Sequence, residues 1–289
     1  MATEAFHSPT TIDEAVALLA GTPGARPLAG GTDLVVQMRS RRLNPAAVVD
    51  TKRIEGLSGV TQQDGGFLIG AATPCSSLKD NEELRAAWPG VVEAANLIGS
   101  VQIRNRATMA GNLCNASPAA DSVPALAAAR AEARIAGPDG TRSVPVENVP
   151  TAPGRTSLAD GEFVTGLFIP AQSRRAADAY LRSIPRTEMD IAVVGAGVWV
   201  ALDADGSCRE ARIAIGAAAP TVRVVQDAGA ALVGSRFEDA DLARMEEAVR
   251  AACDPIDDKR GTIAYRKAMA AVLARRTLMI ARERAEKRT

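Results

Sequence analysis

The order of strand and helix patterns changes along this chain of 289 residues, and that change constrains the fold more than any other feature. Up to about residue 172, short strand patterns alternate with helix patterns. After a polar stretch at 171–177, two apolar runs at 192–202 and 211–217 flank the turn signal Asp203-Ala-Asp-Gly206, which predicts an antiparallel strand pair. Helix patterns follow at residues 222–232, 239–253 and 262–284. We therefore predict an α+β chain whose second part is a small antiparallel sheet with helices.

The first part of the chain carries local signals for both kinds of element. Thr11-Ile-Asp-Glu14 has the spacing of a capping box before an apolar segment, which predicts that a helix begins there. Strands are predicted at residues 27–29, 46–49, 67–69 and 162–170, helices at 77–87, 91–98 and 124–130, and a hairpin at 134–146 around Pro138-Asp-Gly140.

Charge and composition argue against two large classes of protein. The 34 basic residues balance 34 acidic residues, and aromatic residues make up only 3% of the chain, so a nucleic-acid-binding surface is not expected. The chain has no uninterrupted apolar run of about 18 residues, and its first residues lack the basic and apolar regions of a signal peptide. We predict a soluble, cytoplasmic protein without a membrane span.

The residue types that usually perform catalysis or bind metals are sparse. Cys75, Cys114, Cys208 and Cys253 are widely separated, so a zinc site, an iron–sulfur cluster or a disulfide framework is not expected in this chain. The single histidine, His7, lies in a turn-like His-Ser-Pro setting. We assign no catalytic residue and no metal ligand, and we expect the chemistry to come from a bound cofactor.

One glycine pair imitates a dinucleotide-binding fingerprint. Gly195-Ala-Gly197 lies in an apolar run, but the third glycine and the following helix are missing, since Val200 and more strand pattern come next. We therefore predict a strand of small residues at this position.

Residues 26–34, Arg-Pro-Leu-Ala-Gly-Gly-Thr-Asp-Leu, are a better candidate for a binding loop. Two consecutive glycines allow successive N–H groups to point into one concavity, which can bind an anion such as a diphosphate. The hydroxyl of Thr32 adds a donor, and a helix that begins at Asp33 would add its positive end to the same field. A tight turn between a strand and a helix would explain the same residues.

A second candidate lies in residues 104–121, which are rich in small residues and short hydrogen-bonding side chains. This segment is too long and too polar for a routine linker between two apolar helices. The functional interpretation is a second backbone cradle from Thr108 to Asn112, with Ser117 and Asp121 as further polar contacts. The alternative is a structured surface loop rich in turns closed by Asn and Asp side chains.

Several motifs in a fixed order resemble those of a known family. Ala-Gly-Gly-Thr-Asp-Leu at 29–34 is followed by Thr-Met-Ala-Gly-Asn-Leu-Cys-Asn-Ala-Ser-Pro-Ala-Ala-Asp at 108–121, and further matches cover residues 6–15, 186–192 and 260–266. Together they resemble the flavin-binding subunit of the molybdenum hydroxylases, which include aerobic carbon monoxide dehydrogenase and bacterial xanthine dehydrogenases. The resemblance covers nearly the whole chain.

The resemblance implies a fold and a division into domains. Residues 1–172 would form an FAD-binding domain of the vanillyl-alcohol-oxidase (PCMH) type, with lobes at about 1–55 and 56–172. Residues 178–286 would form a C-terminal domain like that of the carbon monoxide dehydrogenase flavoprotein. FAD would lie between the lobes, with its diphosphate held by both glycine loops.

The resemblance also implies which residues contact FAD. With Ser117, they are Arg26, Pro27, Leu28, Ala29, Gly30, Gly31, Thr32, Asp33, Leu34, Leu97, Thr108, Met109, Ala110, Gly111, Asn112, Asp121, Val164 and Arg182. Met109 and Ala110 depart from the family's usual second loop, Thr-Ile/Val-Gly-Gly-Asn, so Ala110 is expected at negative φ or in a slightly shifted loop. The cysteine-bearing insertion that holds a [4Fe–4S] cluster in 4-hydroxybenzoyl-CoA reductase flavin subunits is missing, so no such cluster is expected.

The implied function is electron transfer. A large molybdopterin-binding subunit would hydroxylate the substrate, and a small subunit with two [2Fe–2S] clusters would relay the electrons. FAD in this chain would pass them to NAD, a quinone or oxygen, within a dimer of heterotrimers. Two alternatives stay open: a free-standing flavoprotein oxidoreductase of the same fold, and a non-catalytic scaffold that has lost FAD. The sequence does not identify the substrate of the assembly.

Overall fold

The computed structural model describes residues 5–288 and confirms the predicted α+β class. Within these residues the strands form a three-stranded parallel sheet, a five-stranded antiparallel sheet, a four-stranded antiparallel sheet and a two-stranded ribbon. Residues 1–4, part of the N-terminal segment that lacks a signal-peptide pattern, lie outside the described residues.

The parallel sheet carries the first glycine loop between its second strand and the helix that follows. Its elements in chain order are β1 (Ala5–His7), α1 (Ile12–Gly21), β2 (Arg26–Leu28), α2 (Leu34–Arg39) and β3 (Ala47–Asp50), with β3 between β1 and β2. Thr11 caps α1 as predicted, because its Oγ1 accepts the N–H of Glu14 at 3.2 Å. The turn-like interpretation of His7 was wrong: His7 pairs with Val49 in β1, a strand too short to show an alternating pattern.

Residues 60–169 form the five-stranded sheet and the helices that pack with it. The elements in chain order are β4 (Val60–Gln63), β5 (Gly66–Gly70), α3 (Cys75–Leu78), α4 (Glu82–Ala87), α5 (Pro89–Asn96), α6 (Val101–Arg104), α7 (Met109–Cys114), α8 (Ser122–Ala128), β6 (Glu132–Gly137), β7 (Gly140–Pro145), β8 (Pro150–Ala152), β9 (Arg155–Thr156) and β10 (Phe163–Ile169). The strand order is β4-β5-β10-β6-β7, and β6 and β7 are the predicted hairpin.

The C-terminal part contains the four-stranded sheet, which we call the C-terminal sheet. Its elements are β11 (Ala176–Ser183), β12 (Val194–Leu202), β13 (Cys208–Gly216), β14 (Arg223–Val224), α9 (Gln226–Ala230), α10 (Asp239–Ala252) and α11 (Ile263–Glu286), with the strands in chain order. The predicted antiparallel pair is β12 and β13. All nine residues of β12 are buried, because α8 and α11 both pack against it.

Two helix predictions and one loop prediction need correction. The helix predicted at 222–232 begins only at Gln226, because Arg223 and Val224 pair with β13 as an edge strand. The helix predicted at 77–87 is two short helices, since the Asn81 side chain accepts the N–H of Leu84 at 2.8 Å and begins a new helix there. The segment at 104–121 is not a continuous loop, because it contains α7.

Hydrophobic cores join the three sheets. The largest core includes Leu126 and Leu167 together with Tyr180 and Trp199, so it continues from the five-stranded sheet into the C-terminal sheet. A second core lies between the C-terminal sheet, α10 and α11. A third joins α1 and the parallel sheet to Phe163 of β10. The loops described next are therefore held by elements that pack against one another.

Candidate functional site

The loop of residues 29–34 has a backbone that only small residues allow. Gly31 has φ of +75°, in the left-handed region that favours glycine, and α2 begins three residues later. None of the N–H groups of residues 30–34 donates to another residue within 5–288. Five successive donors are thus available to a ligand, as the sequence predicts for an anion-binding loop.

The second predicted loop is the first turn of α7. Thr108 is its N-cap, and the Thr108 Oγ1 accepts the N–H of Gly111 at 2.9 Å. Ala110 lies inside the helix, where φ is negative, so the methyl group is accommodated without strain, as expected. The N–H of Ala110 has no acceptor among the described residues, and it adds a donor to this end of the helix.

The two loops are in contact with each other. A Cβ atom on Gly30 would lie 2.0 Å from the carbonyl oxygen of Arg106, so only glycine permits this approach. Asn115 bridges the loops from the side: its Nδ2 donates to Asp33 Oδ1 at 3.4 Å, and its Oδ1 accepts from Gln37 Nε2 at 3.2 Å. The paired loops, residues 29–34 and 108–112 with the Asn115 bridge, are called the cradle below.

Asn112 and Ser117, both predicted as ligand contacts, use their side chains within the protein. Asn112 Oδ1 accepts from the Ser122 N–H at 3.2 Å and from Ser122 Oγ at 2.7 Å, which ties α7 to the start of α8. Ser117 Oγ accepts the N–H of Ala119 at 3.3 Å and closes a local turn. For Ser117 this geometry agrees with the alternative interpretation, a structured turn.

Asp121 and Arg182 are brought together although they are 61 positions apart in the chain. Arg182 Nη1 donates to Asp121 Oδ2 at 2.7 Å, and the Tyr180 hydroxyl donates to Oδ1 at 3.2 Å. Burial raises the pKa of Asp121 to about 6, although the charge of Arg182 and the hydrogen bonds from Tyr180 and Arg182 oppose this rise. Tyr180 was missed by the sequence analysis, since its neighbours come from distant parts of the chain.

The remaining predicted residues have different settings. Val164 is buried in β10, beside a bulge, and belongs to the same hydrophobic core as Met109 and Ala110. Leu97, at the end of α5, packs against that core. Arg26 and Pro27 are exposed in β2, and Leu28 is half-buried.

Asn115 of the cradle, and Gln37 and Arg106 that contact it, were not singled out in the sequence. For Asn115 and Arg106 the signal was the polar composition of residues 104–121, which did not distinguish them from their neighbours, and Gln37 carried no signal. Their contacts reach across the gap between the loops, and Gln37 and Asn115 are 78 positions apart in the chain. A pattern along the chain does not report such contacts.

Two general features bear on what the chain can do. Within residues 5–288, no helix combines the length and the apolar character that crossing a membrane requires. The four cysteines are free, and burial raises the pKa of Cys75 and of Cys114 to about 12, so both are thiols rather than nucleophilic thiolates at neutral pH.

Two family models match the chain in succession. Residues 2–172 match the FAD binding domain in molybdopterin dehydrogenase, and residues 179–281 match the CO dehydrogenase flavoprotein C-terminal domain. The cradle lies in the first of these segments, and Tyr180 and Arg182 lie at the start of the second.

Known relatives agree over most of the chain. The xanthine dehydrogenase FAD-binding subunit of Escherichia coli O157:H7 is 35% identical over 218 residues, 75% of this chain and 74% of the relative. The carbon monoxide dehydrogenase medium chain of Hydrogenophaga pseudoflava is 32% identical over 275 residues, 94% of this chain and 95% of the relative. The solved structure of reconstituted CO dehydrogenase from Oligotropha carboxidovorans superposes with a TM-score of 0.93 at 31% identity, over 98% of both chains.

Proposed function

The chain belongs to the family of FAD-binding subunits of the molybdenum hydroxylases, and on that premise we propose that it is the electron outlet of a multi-subunit dehydrogenase. In this proposal it takes electrons from the [2Fe–2S] clusters of a partner subunit and passes them to an external acceptor. Bound FAD would supply the redox chemistry, because a flavin exchanges electrons with one-electron and two-electron partners. The observation that supports this role is the cradle, whose free N–H groups and bare backbone suit the diphosphate of FAD.

The residues of the cradle fit that ligand in shape and in charge. The N–H groups of residues 30–34 are the donors that phosphate oxygens need, and a Cβ atom at Gly30 or Gly31 would collide with Arg106 or Leu28 and distort the loop that presents them. We propose that residues 26–34 and Thr108 to Asn112 hold the cofactor. Asp121 and Arg182 would contribute polar contacts, Leu97 and Val164 would contribute apolar ones, and Ser117 would shape the loop near them.

The proposal includes a division of the chain. Residues 1–172 would be the FAD-binding domain of the PCMH type, with lobes at about 1–55 and 56–172, and residues 178–286 would be the C-terminal domain. The two family-model matches and the separate parallel, five-stranded and C-terminal sheets support this division.

The partners follow from the names of the relatives. A medium chain and an FAD-binding subunit are parts of larger enzymes, and one related carbon monoxide dehydrogenase structure concerns the Mo-pyranopterin moiety of a molybdenum cofactor. We propose a large molybdopterin-binding subunit, a small subunit with two [2Fe–2S] clusters, a dimer of heterotrimers and a cytoplasmic location. The acceptor would be NAD, a quinone or oxygen. Relatives named for xanthine and for carbon monoxide are about equally similar, so this chain does not define the substrate.

A purified sample tests the proposal against its alternatives. The full chain, purified from its own host, should be yellow and should bring with it molybdenum and about four iron atoms for each molybdenum, as two [2Fe–2S] clusters require. A colourless protein that does not take up FAD would instead support the scaffold. A yellow chain that oxidises an organic substrate alone, without molybdenum or iron, would support the free-standing oxidoreductase.

The Gly31→Val variant tests the cradle in the same preparation. Gly31 has φ of +75°, and a Cβ there would lie 2.9 Å from the Leu28 side chain, so valine should distort the loop and remove most of the bound FAD. Gly234→Val is the control, because Gly234 has a similar φ of +77° in a turn with open space around it and lies in the C-terminal part of the chain, where its N–H donates to Cys208. A fully yellow, folded Gly31→Val protein would contradict the cradle assignment.

A further inference from the structure

Strand β11 sends two side chains to one carboxyl group of the neighbouring domain. Asp121 stands directly before α8, and its two oxygens each accept one donor, Oδ1 from the Tyr180 hydroxyl and Oδ2 from Arg182 Nη1. Tyr180 and Asp121 are almost fully buried, and the Arg182 side chain is 5% exposed. The carboxyl group is therefore held at both oxygens by the C-terminal sheet.

The glycine pair that imitates a dinucleotide fingerprint makes room for this arrangement. Gly195 of β12 is paired with Arg182 in the sheet, and a Cβ on Gly195 would lie 2.6 Å from the Tyr180 hydroxyl oxygen. A Cβ on Gly197 would lie 2.3 Å from the carbonyl oxygen of Pro124, in the helix that Asp121 precedes. Both glycines thus serve the contact between the C-terminal sheet and α8, which explains the motif without a nucleotide.

The arrangement leaves one strong donor unused. Arg182 Nε is buried and has no hydrogen-bond partner among the described residues. A buried guanidinium N–H without an acceptor is costly, and an acceptor supplied by a bound ligand would remove that cost. Asp121 is connected to the cradle in space, because Asn112 Oδ1 of the cradle accepts both the N–H and the hydroxyl of Ser122, the residue after Asp121.

We propose that Tyr180 is a positioning residue for the cofactor: its hydroxyl, seated over Gly195, fixes the Asp121 carboxylate and thereby the orientation of Arg182 toward bound FAD. This inference rests on the proposed function. It makes the C-terminal sheet part of the binding site, since two of the three side chains come from β11.

Tyr180→Phe removes the hydroxyl and keeps the ring. The full chain, freed of cofactor, is titrated with FAD, and the dissociation constant is measured from the quenching of flavin fluorescence. We expect binding about threefold to tenfold weaker at pH 8, the effect of one lost hydrogen bond. Tyr265→Phe is the matched control, because Tyr265 is the other tyrosine of the chain and is 47% exposed on α11.

The pH dependence of FAD binding separates positioning from a structural role. Arg182 and Tyr180 are the charged and titratable groups that face Asp121, and both of their hydrogen bonds lower its pKa. FAD affinity should fall as Asp121 gains its proton on acidification. Without the Tyr180 hydrogen bond the carboxyl takes up its proton at higher pH, so this fall should move to higher pH in Tyr180→Phe and stay in place in Tyr265→Phe.

A second variant tests the contact between the Tyr180 hydroxyl and Gly195. Gly195→Ala should displace the hydroxyl and weaken FAD binding as Tyr180→Phe does. In the Tyr180→Phe background the added methyl group meets only ring carbons at 3.4 Å, so the same change should have little further effect. Equal FAD affinity and equal pH profiles for wild type, Tyr180→Phe and Gly195→Ala would overturn the proposal, as would a loss of thermal stability with unchanged binding. A wild-type chain that binds no FAD would instead contradict the proposed function itself.

Discussion

Backbone N–H groups at two places in this protein differ in whether the chain supplies their acceptor. At the start of α5, Asp178 of β11 reaches across from the C-terminal sheet, and its Oδ2 accepts the N–H of Val91 at 3.0 Å. In the cradle, the N–H groups of residues 30–34 have no acceptor within residues 5–288. In both places a glycine allows the close approach, Gly90 to Asp178 and Gly30 to Arg106. A close approach allowed by glycine therefore joins α5 to the C-terminal sheet in one place, and in the other it lies beside N–H groups that no residue of the described chain accepts.

Further charged groups surround the contact between Asp178 and the start of α5. Arg284 of α11 forms an ion pair with Glu93 of α5 and donates to the carbonyl oxygen of Asp178 at 2.9 Å. Burial raises the pKa of Asp178 to about 7, and the negative charge of Glu93 adds to the rise, while backbone hydrogen bonds and Arg284 oppose it. At the start of α5 the chain itself supplies the carboxyl group that accepts the Val91 N–H. The N–H groups of residues 30–34 have no such acceptor among the described residues, so we expect a ligand to supply one.

The largest expected effect comes from the paired changes Gly30→Ala and Gly90→Ala. In Gly30→Ala the new Cβ would lie 2.0 Å from the Arg106 carbonyl oxygen, so the loops must separate and FAD affinity should fall by about 100-fold or more. In Gly90→Ala the new Cβ would lie 2.6 Å from Asp178 Oδ2, so the free energy of unfolding should fall by about 1–3 kcal/mol. Flavin titration and urea unfolding of both variants measure the contrast.

The comparison would break if the two variants behaved alike. Equal loss of FAD from Gly90→Ala and Gly30→Ala would mean that the interface and the cradle are one cooperative unit. We expect the FAD dissociation constant of Gly90→Ala to stay within about twofold of wild type, because α5 carries no cradle donor.

Removal of the Asp178 carboxyl group should weaken the contact between α5 and the C-terminal sheet and leave FAD binding by the cradle unchanged. Asp178→Ala leaves the Val91 N–H buried without an acceptor, which should lower the free energy of unfolding by about 1–3 kcal/mol. Urea unfolding measures the loss. Asp13→Ala, at an exposed position in the first turn of α1, is the control and should change little. An unchanged unfolding midpoint for Asp178→Ala would show that the hydrogen bond from Val91 to Asp178 contributes nothing to stability.

The charge of Asp178 should also make stability depend on pH. Its pKa in the folded state is about 7, above the ordinary value of 3.8, so the folded protein holds the proton more tightly than the unfolded chain. This contribution to stability is present at low pH and is lost as the pH rises toward 7. Between pH 5 and pH 8 the melting temperature of wild type should therefore drop by about 2–4 °C more than that of Asp178→Asn. Parallel melting curves for the two proteins would contradict the assignment.

The smallest expected effect concerns the bridge across the cradle. Asn115→Leu removes the hydrogen bonds to Asp33 and Gln37 but leaves the backbone donors in place, so FAD binding should weaken by about fivefold. Gln37→Leu, which removes one of the two bonds, should have a smaller effect on the FAD dissociation constant. If Asn115→Leu bound FAD as tightly as wild type, the bridge would be incidental to binding.

The sequence predicted what local chemistry determines. The capping box at Thr11, the hairpin of β6 and β7, and the pairing of β12 with β13 follow from side-chain spacing and turn residues, and the structure has all three. The short strands β1 and β14 were missed because their hydrogen bonds come from residues far away in the chain, such as Ala47 for Ala5. A three-residue or two-residue strand has no periodicity to read.

The candidate site divides in the same way. The glycine loop could be predicted, since two adjacent glycines indicate a backbone with a positive φ or a close approach that larger residues do not allow. The contacts that organise it could not, because Asn115 meets Asp33 across 82 residues and Tyr180 meets Asp121 across 59. Gly195 and Gly197 were visible in the sequence, but their role, which is to leave room for Tyr180 and for α8, depends on how the C-terminal sheet packs against α8.

The most direct test of the cradle is a calorimetric comparison of FAD with riboflavin as ligands of the cofactor-free full chain. If the cradle binds the diphosphate through its free N–H groups, FAD should bind at least about 100-fold more tightly than riboflavin, which lacks both phosphates and the adenosine, and the part of this difference that Gly30→Ala removes reports the cradle. The difference should shrink sharply in Gly30→Ala. Equal affinity for FAD and riboflavin in the wild-type chain would contradict the account, because the cradle would then play no part in holding the cofactor.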